Sequence, residues 1–291
     1  MFRITQRSMA DATYANLQSS LSRSSTLQEQ LSSGKQVGRP SDNPMAAGDV
    51  MQLRTERAAN AQYARNADNG LAWLATADGA LQQSSERLRK AQELTVSAGS
   101  GALSQGNRDA IADELRGVRA ELLELANTQY LGRPVFGGTT DGPAAFDATG
   151  AYVGDAGTVD RRIGSESTVP VNVSGAVAFG TGATSVFARL DAVIADLEAG
   201  APTGGHLAGL GDSLDRALGA LADVGARTNR VDNLKAKAED AGITLRSAQS
   251  QIEDVDLPKT ILELQLQSTA YQAALGATAR VLQPTLLDFL R

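Results

Sequence analysis

Val231, Ala238, Leu245 and Ile252 recur at seven-residue intervals, and Leu234, Ala241, Ala248 and Val255 follow three positions behind each of them. An a/d seam sustained for more than three heptads has to lie against another long helix. Near the N-terminus Tyr14, Leu17, Leu21 and Leu31 stand at helical spacings as well, with Leu27 beside that stripe. Both ends are therefore helices that are incomplete alone, and the centre between them is rich in glycine. That pattern predicts a chain folded back on itself that still needs neighbours, an assembly subunit and not an enzyme.

Composition agrees. The apolar residues are mostly Ala and Leu, while aromatics make up only 4% of the 291 residues, which suits close-packed helices better than a broad globular core. A net charge of −6 without a Lys/Arg cluster argues against a nucleic-acid partner. No run of about 18 apolar residues is present, which speaks against a membrane-spanning helix, and Met1 to Ala10 lacks the apolar segment of a cleaved secretory signal. With no cysteine the chain has neither disulfide staples nor thiolate metal sites. That absence suits a protein exported unfolded as well as one kept in the cytoplasm.

The first helix is expected from about Ser8 to Ser33, stopped by Gly34 in the left-handed conformation. In the connector Gly38–Pro44, Asn43 should cap a second helix that opens on Pro44 and runs from Met45 to about Ala98. Leu74, Leu81 and Leu88 are its seam, flanked by Leu71. After the Gly/Ser turn that follows, Ile111, Leu115, Val118, Leu122 and Leu125 predict a helix returning antiparallel. Beyond Tyr130 the period changes, and alternating runs such as Val169–Val173 predict a small antiparallel β insert. Val186 to Ala199 reads as a short helix and His206 to Val255 as a long one, which Leu257-Pro258 ends or kinks. In the last segment Ile261, Ser268, Leu275, Leu282 and Phe289 are seven apart, with Leu264 and Tyr271 beside them. Glu263 and Arg280 are its only charges between Thr260 and Leu287, fewer than a solvated face normally carries. The predicted fold is mainly α: a long antiparallel helical rod built from both termini, with a small β-rich inserted domain. Its helical rod comprises residues 43–134 and 185–255, and the insert residues 135–184.

Nothing in the sequence points to a catalytic, cofactor or metal site. The single histidine, His206, follows a Gly-Gly break and reads as a cap or solvated residue. One histidine cannot supply H-E-x-x-H, and Asp141, Asp147, Asp155 and Asp160 lack the spacing of a calcium loop and read as turn residues.

Leu31-Ser32-Ser33-Gly34-Lys35-Gln36-Val37 followed by Arg39-Pro40-Ser41-Asp42-Asn43-Pro44-Met45-Ala46-Ala47 resembles the N-terminal signature of the flagellin superfamily. Gly225–Val231 and Ile252–Asp256 are similar to its C-terminal arm. Pro40, Tyr271–Leu275, the ending Leu286–Leu290 and the central Thr168–Val173 are closer to the hook-associated protein 3 family than to filament flagellins.

The resemblance implies a structural subunit of the bacterial flagellum at the junction between hook and filament. It would lie outside the cell, exported unfolded by the type III apparatus and guarded in the cytoplasm by a chaperone. Its implied partners are sister copies in a ring, hook-associated protein 1 on the hook side and flagellin on the filament side. Residues 1–42 and 256–291 would form the inner-tube layer, and the insert would face outward. Leu17, Leu21, Leu31, Leu264, Tyr271, Leu275, Leu282, Leu286 and Phe289 are the candidate assembly residues. Pro258 and Pro284 depart from continuous helix there. A minor filament flagellin and a cytoplasmic coiled-coil scaffold are the competing readings; the scaffold would need neither Pro40 nor the Leu286–Leu290 ending.

Overall fold

The computed structural model describes residues 6–99 and 103–281 of the chain. Among these residues the elements are α1 (Gln6–Ser33), α2 (Pro44–Gly99), α3 (Gln105–Ala126), β1 (Gln129–Tyr130), β2 (Arg133–Pro134), β3 (Asp160–Arg162), β4 (Thr168–Pro170), α4 (Gly175–Phe179), α5 (Val186–Glu198), α6 (Leu207–Glu253) and α7 (Leu257–Val281). The protein is mainly α, with long helices and only small two-stranded sheets. It divides into two compact units, Met1–Ala58 with Ile243–Arg291, and Ala59–Gly242. Helices α2 and α6 each contribute residues to both.

Local chemistry sets the helix ends. Gly34 has φ +70° and its N–H bonds Gln30 O at 2.9 Å, the left-handed stop that closes α1. Asn43 Oδ1 accepts from Ala46 N at 3.1 Å, and Pro44 opens α2 where no N–H is required. Pro258 breaks the C-terminal helix outright. Asp256 Oδ1 accepts from Lys259 N at 3.1 Å, so a new helix starts at Leu257 with the proline in its first turn, where its missing donor costs nothing.

In the unit Ala59–Gly242, Leu74, Leu81 and Leu88 of α2 are fully buried, as their heptad spacing requires. Leu115, Val118 and Leu122 of α3 are buried opposite them. Ion pairs Arg87–Glu121 at 2.7 Å and Lys90–Glu114 at 3.1 Å show α3 running antiparallel to α2. Asp68–Lys235 at 2.7 Å does the same for α6 farther along α2, beside a bond from Asn60 to the Ala238 carbonyl. The heptad series of α6 starts earlier than its sequence pattern announced: Leu210, Ala217, Val224, Val231 and Ala238 are all buried. Its alanines let the helices approach closely. Helix α5 adds Leu190, Val193, Ile194 and Leu197.

The insert has little β-structure. Within residues 135–184, among those described, β3 and β4 form one antiparallel pair, Arg161 opposite Val169. The tight β1–β2 pair lies just before it, at the end of α3. What holds the insert is aromatic packing. Phe146 meets Phe179, Phe187 and Tyr152 at ring distances of 5.2–5.6 Å, and Phe136 meets Phe179 edge-on at 5.2 Å. A chain poor in aromatics thus spends four of its six phenylalanines at one place. Asn127, at the end of α3, binds the Phe146 carbonyl with Nδ2 and accepts from Ala145 N and Phe146 N with Oδ1. Buried Asn172 accepts from Val159 N at 2.8 Å and donates to Gly157 O at 2.9 Å, while Arg227 of α6 binds its carbonyl. At Gly70 of α2 an added Cβ would come within 3.0 Å of Val171, so glycine lets the insert settle on that helix.

Phe146 is therefore the keystone of this packing. Phe146→Ala is expected to destabilise the protein by about 3–5 kcal/mol, against no more than about 0.5 kcal/mol for exposed Val177→Ala. Urea unfolding followed by circular dichroism checks the difference, and equal midpoints would refute it.

Candidate assembly surface

The unit formed by Met1–Ala58 and Ile243–Arg291 is built differently. Among its described residues only Leu27, Val50, Glu253 and Thr260 are buried. Helices α1 and α7 pack on each other, and among the half-buried or buried positions described on α1, which also include Gln30, a series runs Thr13, Leu17, Ser20, Ser24, Leu27 and Leu31. They alternate four and three apart, as a paired-helix seam does. On α7 the matching series is Thr260, Leu264, Gln267, Tyr271, Ala274 and Thr278. The helices are antiparallel: Val255 N bonds Gly34 O at 3.0 Å, while thirteen or so residues along each helix Gln267 Nε2 bonds Ser20 O at 3.2 Å and Ser20 Oγ at 2.7 Å.

Of the candidate residues, Leu17 and Leu31 of α1 and Leu264 and Tyr271 of α7 enter this seam, half-buried. Leu21 stays 57% exposed and Leu275 43% exposed. Leu282, Leu286 and Phe289 lie outside the described residues, as does Pro284. Leu27, which the apolar spacing set beside the stripe, is the most buried of the described residues of α1 at 8%. Sequence reasoning missed it because the seam also contains Thr13, Ser20 and Ser24, which an apolar pattern does not count. The same holds on α7, where Thr260 and Gln267 stand in the seam and Ile261 and Leu275 do not. Large apolar groups left exposed on α7 are Leu257, Ile261, Leu262, Leu266 and Leu275, joined by Tyr14 on α1, Met45 and Met51 on α2 and Ile243 on α6.

A second feature had no apolar signal at all. Where α6 ends, the buried carboxylate of Glu253 receives Lys35 Nζ at 2.5 Å, Arg54 at 2.5 Å and Gln249 Nε2 at 2.5 Å. Gln36 N bonds the Glu253 carbonyl at 2.7 Å, and Lys35 and Asp254 form an antiparallel bridge. One side chain thus ties the α1–α2 connector, α2 and the α6–α7 break together. Elsewhere, in the other unit, His206 Nε2 lies 2.6 Å from Asp196 Oδ2, an ion-pairing or hydrogen-bonding partner on α5. No helix among the described residues is long and apolar enough to cross a membrane.

Burial pushes the Glu253 carboxyl up, but hydrogen bonds from Gln249, Lys35 and Arg54, with the Arg54 charge, outweigh it and bring its pKa from 4.5 down to about 2. A depressed carboxyl pKa contributes stability that is complete above about pH 4.5 and lost as the pH falls towards about 2. Glu253→Gln should therefore be less stable than the parent at neutral pH, with the gap closing over that acid range. Parallel urea titrations at neutral and acid pH measure it; a gap independent of pH would contradict the ion-pair account.

Comparison with known proteins locates this geometry. The bacterial flagellin N-terminal helical region matches residues 4–141, and the bacterial flagellin C-terminal helical region matches residues 212–290. Flagellar hook-associated protein 3 of Salmonella typhimurium is 30% identical, over 94% of each chain. That of Escherichia coli is 31% identical, over 86% of this chain and 87% of its own. A solved flagellar hook-associated protein from Vibrio parahaemolyticus superposes with a TM-score of 0.67 at 25% identity, covering 73% of this chain and 100% of that one. With both terminal regions matched and near full-length similarity at this level, the chain belongs to the bacterial flagellin family, in its hook-associated protein 3 branch.

Proposed function

We propose that the protein is a structural, non-catalytic subunit of the bacterial flagellum that forms the junction between hook and filament. The observation that carries the assembly reading is the incomplete covering of α7. Leu257, Ile261 and Leu275 lie on one flank of its α1-facing seam, Leu262 and Leu266 on the other, and all five are exposed in the single chain. Exposed aliphatic side chains on both flanks of a helix call for further neighbours, and α1 supplies one neighbour only. Sister copies in a ring supply the others. The identity of 30% and 31% to hook-associated protein 3 of two bacteria supports placing the ring at the junction.

In this reading residues 1–42 and 256–291 form the inner-tube layer, residues 43–134 and 185–255 the helical rod, and residues 135–184 an insert facing outward. Leu17, Leu21, Leu31, Leu264, Tyr271, Leu275, Leu282, Leu286 and Phe289 line the contacts within and between copies. Hook-associated protein 1 is the neighbour on the hook side and flagellin on the filament side. The subunit reaches this extracellular position unfolded, through the type III export channel, after release from a cytoplasmic chaperone.

Leu266→Asp tests the assembly. On a face open to water in the free subunit the charge costs almost nothing, whereas in a seam between copies an unpaired carboxylate costs several kcal/mol. The purified variant should keep its helicity, and cells carrying it as their sole copy should secrete flagellin without assembling it and fail to swim. Normal swimming would remove this flank from the interface. Immuno-electron microscopy of wild-type flagella decides the place: one labelled band at the hook end is expected, and label along the whole filament would make the protein a filament flagellin instead.

A further inference from the structure

Helix α7 offers two overlapping seams, and it buries the less apolar one. At 3.6 residues per turn, Thr260, Leu264, Gln267, Tyr271, Ala274 and Thr278 occupy one narrow arc. Leu257, Ile261, Leu264, Ser268, Tyr271 and Leu275 occupy another, rotated by roughly 60° about the helix axis. The second arc carries four large aliphatic residues where the first carries one. Burial alone would turn α7 so that the second arc met α1. Instead Ile261 is 47% and Leu275 43% exposed, while Thr260 is buried.

The contact that separates the two settings is polar. Gln267 Nε2 donates both to the Ser20 carbonyl, at 3.2 Å, and to Ser20 Oγ, at 2.7 Å, midway along the α1–α7 pair. Rotation onto the more apolar arc would carry Gln267 out of reach of Ser20 and place Ser268 nearer to it. A single polar residue in a helical seam can select one packing arrangement at some cost in stability. The joint at Gly34–Val255 fixes how far α7 slides along α1, but an anchor at one end of a helix does not fix its rotation.

We infer that Gln267, through Ser20, sets the rotation of α7 against α1 and so holds Leu257, Ile261 and Leu275 outward. Gln267 is a positioning residue: it keeps an apolar flank from closing on the protein's own α1. The use of that flank by sister copies rests on the function proposed above; the rotation itself does not.

The chain has no cysteine, so engineered pairs report the setting without background. The antiparallel register that pairs Ser20 with Gln267 places Thr13 opposite Ala274. Thr13→Cys with Ala274→Cys reports the present setting, and Thr13→Cys with Leu275→Cys the rotated one, because disulfide formation needs Cβ atoms about 3.5–4.5 Å apart. Each pair is oxidised in the full-length monomer with Gln267, with Gln267→Ala and with Ser20→Ala. Both substitutions should shift the cross-linking ratio towards the Leu275→Cys pair, Gln267→Ala by about tenfold, the size expected from losing two net hydrogen bonds, and Ser20→Ala by less. Ser20→Ala favours helix, so it answers even if Gln267→Ala unfolds α7. An unchanged ratio in the folded variants overturns the inference. Because the readout is made on monomers, it stands or falls separately from the role in the flagellum.

Discussion

A helix as long as α2 or α6 cannot bury its own seam, and every other feature of this protein follows from how those seams are covered. Heptad spacing gathers Leu74, Leu81 and Leu88 on one side of α2, and Leu210, Ala217, Val224, Val231 and Ala238 on one side of α6. Neighbouring helices at close range cover both, and the chain supplies them from α3 and α5 and by setting α2 and α6 against each other. The ion pairs that decorate the edges, Arg87–Glu121 and Lys235–Asp68 among them, mark direction more than they add stability, since exposed pairs contribute little.

The two compact units contrast in how far this covering goes. Within Ala59–Gly242 large side chains reach zero exposure, and an aromatic cluster closes the insert. In the other unit the α1–α7 seam is laced with Thr, Ser and Gln, and leucines remain outside it. A seam of that composition pairs two helices without saturating either. Such a device suits a subunit that completes its core only among copies of itself.

Between the helices of that unit, chemistry is concentrated at the joint. Gly34 and Pro258 end helices for opposite reasons, one by permitting a left-handed residue and the other by withholding a donor. Glu253 then receives Lys35 and Arg54, converting two chain breaks into one hydrogen-bonded corner. The segment's resemblance to the flagellin C-terminal arm was visible in the sequence. That its glutamate is buried and paired with cations far away along the chain was not.

By itself the sequence determined the helices, their ends and the main seam: period, glycine and proline act locally, so Gly34, Asn43-Pro44, Leu74–Leu81–Leu88 and Ile111–Leu125 could be read without coordinates. It also carried the family, because Leu31–Ala47 and Ile252–Asp256 are contiguous motifs. Only the tertiary structure decided which face of each terminal helix turns inward. Leu27 entered the seam and Leu21 did not, and Gln267 stands in it where Ile261 and Leu275 do not, because two helices set a seam together while an apolar count sees one helix at a time. In the insert the alternation foretold strands, and β3 pairs with β4, but Phe136, Phe146, Phe179 and Phe187 converge from separate segments, and no local pattern records a meeting made by the fold.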